Sequence, residues 1–194
     1  MANKTTRAIT EDEYKNIITT IRTGFVLPSG QRVRPNEKVA FALTLEANLG
    51  VRISDCLYLR MSNFVKENGK YRLDYIEQKT KKRRTFTVPT EIYAYIYEYA
   101  YKNEIKPNQR LCELTSRTIQ NHLALTCEYL GIEGNVSSHS FRKFYATSIY
   151  NNTGSLLVVQ RLLQHSSLQV TSKYLNVESR EVEQAIQNHI CLPA

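Results

Sequence analysis

The sequence predicts a mainly α-helical fold carrying one small three-stranded antiparallel β-sheet. Helix-start and helix-stop signals punctuate both ends of the chain. In the middle, Asn68-Gly69 stands between runs rich in Tyr, Ile, Phe, Thr and Val, a hairpin signal where the apolar period changes from helical to alternating. Finally, no repeat, low-complexity tract or long linker divides the 194 residues, so residues 1–194 are expected to form a single domain. A chain of that length buries roughly 70% of its unfolded surface and needs no staples.

The elements follow in order. Thr10 with Glu13 makes a capping box ahead of "EYKNIITTIRTGF". After the loop "LPSGQRVRP", the segment "NEKVAFALTLEANLG" reads as a mostly buried helix that Gly50 ends. A short helix, "RISDCLYLR", comes next. Three strands then span "NFVKENGKYRLDYIEQKTKKRRTFTVPT", with "KTKKRR" at the second turn. The tyrosine alternation from Tyr93 to Tyr101 also suits a strand, but its length and the preceding Pro89-Thr90 favour a helix. "SRTIQNHLALTCEYLGI" is helical, and four further helices are predicted at 138–151, 155–164, 168–175 and 179–190.

Composition narrows the partners. Lysine and arginine number 26 against 18 acids, a net charge of +8, which favours an anionic partner such as nucleic acid. Cys56, Cys112, Cys127 and Cys191 are scattered without a C-x-x-C pair, so neither a disulfide scaffold nor a zinc ribbon is indicated. "MANKTTRAITEDEYK" lacks the apolar core of a signal peptide, and no stretch nears the ~20 apolar residues of a membrane span. A soluble, cytoplasmic protein is expected.

Several residues invite a chemical reading, and each has a plain structural alternative. In "SSHSFRKFYATS", Phe141, Phe144, Tyr145 and Ile149 share one arc, with His139 and Arg142 about 60° apart at its edge. They either face one anionic ligand from the rim of the core or form a solvent-side pair. In "LLQHSSLQVTSKYL", His165 follows the apolar "LLVVQRLL", and Tyr174 lies nine residues on, where ring packing is the plain alternative. "GVRISD" sets Arg52 three residues before Asp55, at its simplest an i,i+3 ion pair. Within "KTKKRR", Lys79, Lys81, Lys82, Arg83 and Arg84 form either a solvated tip or a probe of a DNA backbone.

Taken together and in order, these stretches resemble the tyrosine recombinase (phage integrase) family, whose members show G-[LM]-R-x-[ST]-E, a lysine between the second and third strands, H-x-L-R-H-x-F-A-T, and L-G-H-x-S followed closely by a tyrosine. Here "GVRISD", "EQKTKKRRTFTVP", "HSFRKFYAT" and "LLQHSS…KYL" fill those places, over about residues 8–188. Asp55 stands for the commoner Glu, Phe141 for Leu and Gln164 for Gly. None of these changes removes a phosphate-handling group.

The resemblance implies the DNA breaking-rejoining catalytic-domain fold and a site-specific recombinase acting on double-stranded DNA. Tyr174 would attack a scissile phosphate, giving a 3′-phosphotyrosyl link and a free 5′-hydroxyl, without metal, ATP or other cofactor. Arg52, Arg142 and His165 would hold the non-bridging oxygens. A hairpin lysine would protonate the departing oxygen, with Lys79 matching best and Lys81 or Lys82 as alternatives. His139 would take the tyrosine proton or orient the site, and Asp55 would brace the basic cluster. Lys81, Lys82, Arg83 and Arg84 would contact the DNA backbone.

Members act as tetramers on paired sites, and a free domain is expected to be a monomer until DNA assembles it. "SREVEQAIQNHICLPA" is either the segment that docks on a neighbour or a helix packing on its own domain. Only 51 residues precede Arg52, so the separate N-terminal DNA-clamping domain of most members is expected to be absent. The rival readings are type IB topoisomerase-like relaxation, a non-catalytic DNA-binding regulator, and a metal-free ribonuclease using His139, His165 and lysine.

Overall fold

The computed structural model describes residues 6–175, so the helix expected at 179–190 lies outside the described residues. The chain forms two compact units that divide within one helix, between Tyr145 and Ala146.

In the first unit, α1 (Glu11–Thr23) starts on the expected capping box: the Thr10 hydroxyl accepts from the Glu13 amide and the Glu13 carboxylate accepts from Thr10. The following loop is more ordered than its composition suggests. β1 (Phe25–Val26) pairs antiparallel with β2 (Arg32–Val33), because Leu27 and Gln31 bond across the turn and Gly30 bonds back to Leu27. The structure thus has a second, two-stranded sheet beside the expected one.

Helix α2 (Glu37–Leu49) is buried on nearly every face, through Val39, Ala40, Phe41, Ala42, Leu43, Leu45, Ala47 and Leu49. A helix apolar all round belongs in the middle of a core, and α1 and α5 (Ser116–Tyr129) pack on it. The short α3 (Ile53–Cys56) follows.

The main sheet has the order β3-β4-β5, from Phe64–Glu67, Lys70–Ile76 and Arg83–Val88. Asn68 and Gly69 both hold positive φ, as a tight hairpin turn requires. Leu73, Tyr75 and Val88 face the core, whereas Asp74 opposes Thr85 and bonds to Arg83 at 2.8 Å on the other face. The tyrosine-rich segment is helical, as α4 (Thr90–Lys102); Tyr99 stacks on Phe41 and Tyr93 on Tyr71. Helix α6 (Ser138–Thr153) crosses the division between the units. The second unit holds the rest of α6, then α7 (Leu156–Leu163) and α8 (Leu168–Leu175), which pack on each other.

Candidate active site

The first unit gathers its candidate residues around the turn that ends α2. Gly50 adopts the left-handed conformation (φ 58, ψ 23) and returns its amide to the Glu46 carbonyl. A Cβ there would lie 2.3 Å from the Tyr145 ring, so shape and φ both demand glycine. The carbonyl of Gly50 accepts a 2.8 Å bond from Nη1 of Arg142, 92 residues away. One turn therefore closes a helix, seats an aromatic ring of α6 and orients a guanidinium.

Arg142 departs from its expected place. It is 1% exposed, one of the largest fully buried side chains, while His139 in the first turn of α6 is exposed. The aromatic stripe itself forms: Phe141 meets Tyr14 edge-on, and Phe144 stacks on Tyr14 at 5.5 Å. Arg142 lies inside the stripe's edge rather than on the rim, because the core supplies what a buried charge needs. Besides the Gly50 carbonyl, buried Glu46 and Asp55 both interact with it electrostatically. Burial drives the Glu46 carboxyl well above the ordinary Glu range, and Arg142 and the Ile53 amide pull it only part of the way back.

Arg52 occupies the N-cap position of α3 and stays partly exposed. Its Nη1 lies 2.9 Å from Oε2 of Glu77, a carboxylate 1% exposed at the end of β4. Glu77 also accepts 2.6 Å from the Thr80 hydroxyl, and its second oxygen is 3.7 Å from Arg84. Burial raises its carboxyl, yet the Thr80 bond and the Arg52 charge outweigh that, so it titrates below the ordinary range. Asp55 is equally buried and accepts 2.8 Å from the Gln78 amide; burial sets it above the ordinary Asp range.

The basic run splits. Lys79, Lys81 and Lys82 are exposed at the β4–β5 turn, and Lys79 has no ion-pair partner among the described residues. Arg83 is exposed but tied to Asp74, whose carboxyl it holds at about 2. Arg84 departs from the expected contact with a DNA backbone. It is 2% exposed, donates to the Tyr75 hydroxyl at 3.2 Å and lies over the Phe86 ring, because alternation along β5 points it inward. The sheet thus keeps Arg84 for internal bracing.

In the second unit, α7 ends on Gln164 in the left-handed conformation (φ 53, ψ 42), and the His165 amide returns to the Gln160 carbonyl. That geometry explains a glycine as the common residue there, and Gln164 adopts it with strain. Nδ1 of His165 and the Thr171 hydroxyl are 3.1 Å apart, and Thr171 is buried. The Tyr174 ring meets the imidazole edge-on, with centroids 5.0 Å apart, and is half-buried.

Three residues escaped sequence reasoning: Glu46, Glu77 and Thr171. Glu46 left a signal, a carboxylate within the apolar "VAFALTLEANLG". Glu77 and Thr171 left none, since one leads a cationic run and the other is an ordinary helix residue.

The chain is similar in sequence and fold to known proteins. The probable integrase/recombinase YoeC of Bacillus subtilis is 27% identical over 151 residues, covering 74% of this chain and 80% of that protein. XerD of Pseudomonas putida is 25% identical over 171 residues, 82% of this chain, and the chain spans about half of that longer relative, 54%. Among solved structures, the catalytic domain of bacteriophage HP1 integrase has a TM-score of 0.65 at 19% identity, covering 95% of this chain and 96% of that one. XerH bound to a palindromic difH substrate in a post-cleavage complex has a TM-score of 0.68 at 21% identity, covering 96% and 54%. The family description that fits is phage integrase, matched over residues 7–181. The chain belongs to the phage integrase family.

Proposed function

We propose that the chain is a tyrosine-type site-specific DNA recombinase. The observation that carries this reading is the pairing of His165, in the turn between α7 and α8, with Tyr174 of α8, in a chain whose other unit holds two arginines at the Gly50 turn. Tyr174 attacks the scissile phosphorus, its Oη–P bond forms as the bond to the 5′-oxygen breaks, and the 3′-phosphotyrosyl link keeps the phosphodiester energy. No ATP is required, and rejoining is the reverse step.

Arg52 and Arg142 stabilise the charge that grows on the non-bridging oxygens, since guanidinium remains charged and offers a planar fork of donors. Arg142 does so from a pre-set orientation, which lowers reorganisation during the reaction. His165, held by Thr171, adds a further contact. The Lys79 ammonium at the hairpin tip protonates the departing 5′-oxygen, and exposed His139 receives or orients the tyrosine proton. Lys81 and Lys82 meet the DNA backbone. YoeC, XerD and XerH carry integrase or recombinase names, and lambda integrase has been solved as a dimer on a core site. We extend that to assembly of this chain on paired DNA sites as a tetramer.

The test uses supercoiled plasmid carrying the DNA that flanks the gene, quenched with SDS. A protein–DNA adduct is expected from the native chain and none from Tyr174→Phe. An adduct that persists in the variant would remove Tyr174 as nucleophile. No adduct, despite salt-sensitive DNA binding by both proteins, would leave a DNA-binding regulator.

A further inference from the structure

We infer that Glu77 is the positioning residue that fixes Arg52 and, through the β4–β5 turn, the lysine at its tip. The inference rests on the recombinase reading and extends it to a residue to which the resemblance assigns no role. Among the described residues, Glu77 is the one carboxylate in ion-pairing reach of Arg52, with Oε2 at 2.9 Å from Nη1. Its backbone closes the turn that presents Lys79: the Glu77 amide donates to the Lys82 carbonyl at 3.0 Å, and the Lys81 amide donates to the Glu77 carbonyl at 3.0 Å.

Inside that ring, the Thr80 hydroxyl donates to the same Oε2 at 2.6 Å. Thr80 and Lys79 beside it are both exposed, but the Thr80 hydroxyl is tied back to the carboxylate while Lys79 stands free for DNA. The next amide, Gln78, is fastened to Asp55 on the Arg52 helix. Arg84 buttresses the second Glu77 oxygen at 3.7 Å. One buried carboxylate therefore joins the phosphate-binding arginine to the loop that carries the proton donor. A buried, partly desolvated carboxylate holds a guanidinium firmly, whereas a neutral amide in its place lets both Arg52 and the turn relax.

Single-turnover cleavage of a nicked DNA substrate reads the consequence, alongside DNA affinity by fluorescence anisotropy. Glu77→Gln is expected to slow cleavage about 10²-fold, the scale of a 1 Å misplacement, with affinity within about twofold. Glu77→Asp, which keeps the charge, is expected to recover most of the rate. A substrate with sulfur as the 5′-bridging atom has a leaving group that needs no proton. It is expected to restore the share of the Glu77→Gln loss that comes through Lys79, and to leave the share that comes through Arg52.

Unchanged cleavage by Glu77→Gln overturns the inference. So does a loss matched by equal loss of affinity or of melting temperature and not recovered by Glu77→Asp, because that marks general destabilisation. An adduct that survives Tyr174→Phe instead overturns the recombinase reading, independently of how Glu77 behaves.

Discussion

The Gly50 turn of the first unit and the α7–α8 pair of the second place reactive groups by different means. Around Gly50, polar groups are buried and over-determined: Arg142 bonds to a carbonyl across 92 residues, and Glu46, Asp55 and Glu77 bring carboxyl groups to the arginines from three separate elements. In α7–α8, two eight-residue helices flank the turn that holds His165, which meets the Thr171 hydroxyl and the edge of the Tyr174 ring beside a strained Gln164. Oxyanion stabilisers work best when fixed before the reaction. Two short helices make a lighter mount than a buried core, because short elements open at lower free-energy cost.

The largest effect should come from breaking the heavier mount. Arg142→Met leaves Glu46 and Asp55 buried without their shared positive neighbour, at a cost of about 3–5 kcal/mol. Urea denaturation followed by circular dichroism measures it, and a cost below 1 kcal/mol would mean that Arg142 is not a structural charge.

A smaller test sharpens the same point through pH. The folded-state value of Glu46 lies above its unfolded one, so its contribution is present below the ordinary Glu value of about 4.3 and is lost as pH rises through the raised one. Melting temperature should therefore fall less steeply with rising pH in Glu46→Gln than in the native chain. Asp74 runs the other way: held at about 2 by Arg83, its contribution is present above 3.8 and lost as pH falls towards 2. An identical pH dependence in the variant would show that Glu46 does not titrate differently on folding.

The smallest effect belongs to the lighter mount. Gln164→Gly relieves a left-handed residue and should stabilise the chain by about 0.5–1 kcal/mol, net of the extra chain entropy of glycine. Thermal melting reads this directly. A loss of stability would mean that the Gln164 side chain contributes more than its backbone conformation costs.

Much of the fold was legible because its signals are local. The Thr10–Glu13 box, the Gly50 stop, the Asn68-Gly69 turn and the helical reading of Tyr93–Tyr101 depend on neighbours within a few residues, and each has its expected form. The β1–β2 ribbon was missed because two-residue strands carry no alternation. The motif residues were legible as types in an order. Their surroundings were not: an exposed lysine and a buried arginine look alike within "KTKKRR", and strand direction separates Lys79 from Arg84 only once β4 and β5 are in register.

By itself, the sequence determined the order of helices and strands, the positive charge, and the set of groups suited to a phosphate, since propensities, caps and turn residues act over a few positions. The tertiary structure alone decided that Arg142 is interior, that Glu77 holds Arg52, and that Glu46 stands protonation-shifted in the core. Those outcomes depend on desolvation and on partners up to 96 residues apart in the chain, as Glu46 and Arg142 are. Burial and pairing across that separation arise only when the chain has folded.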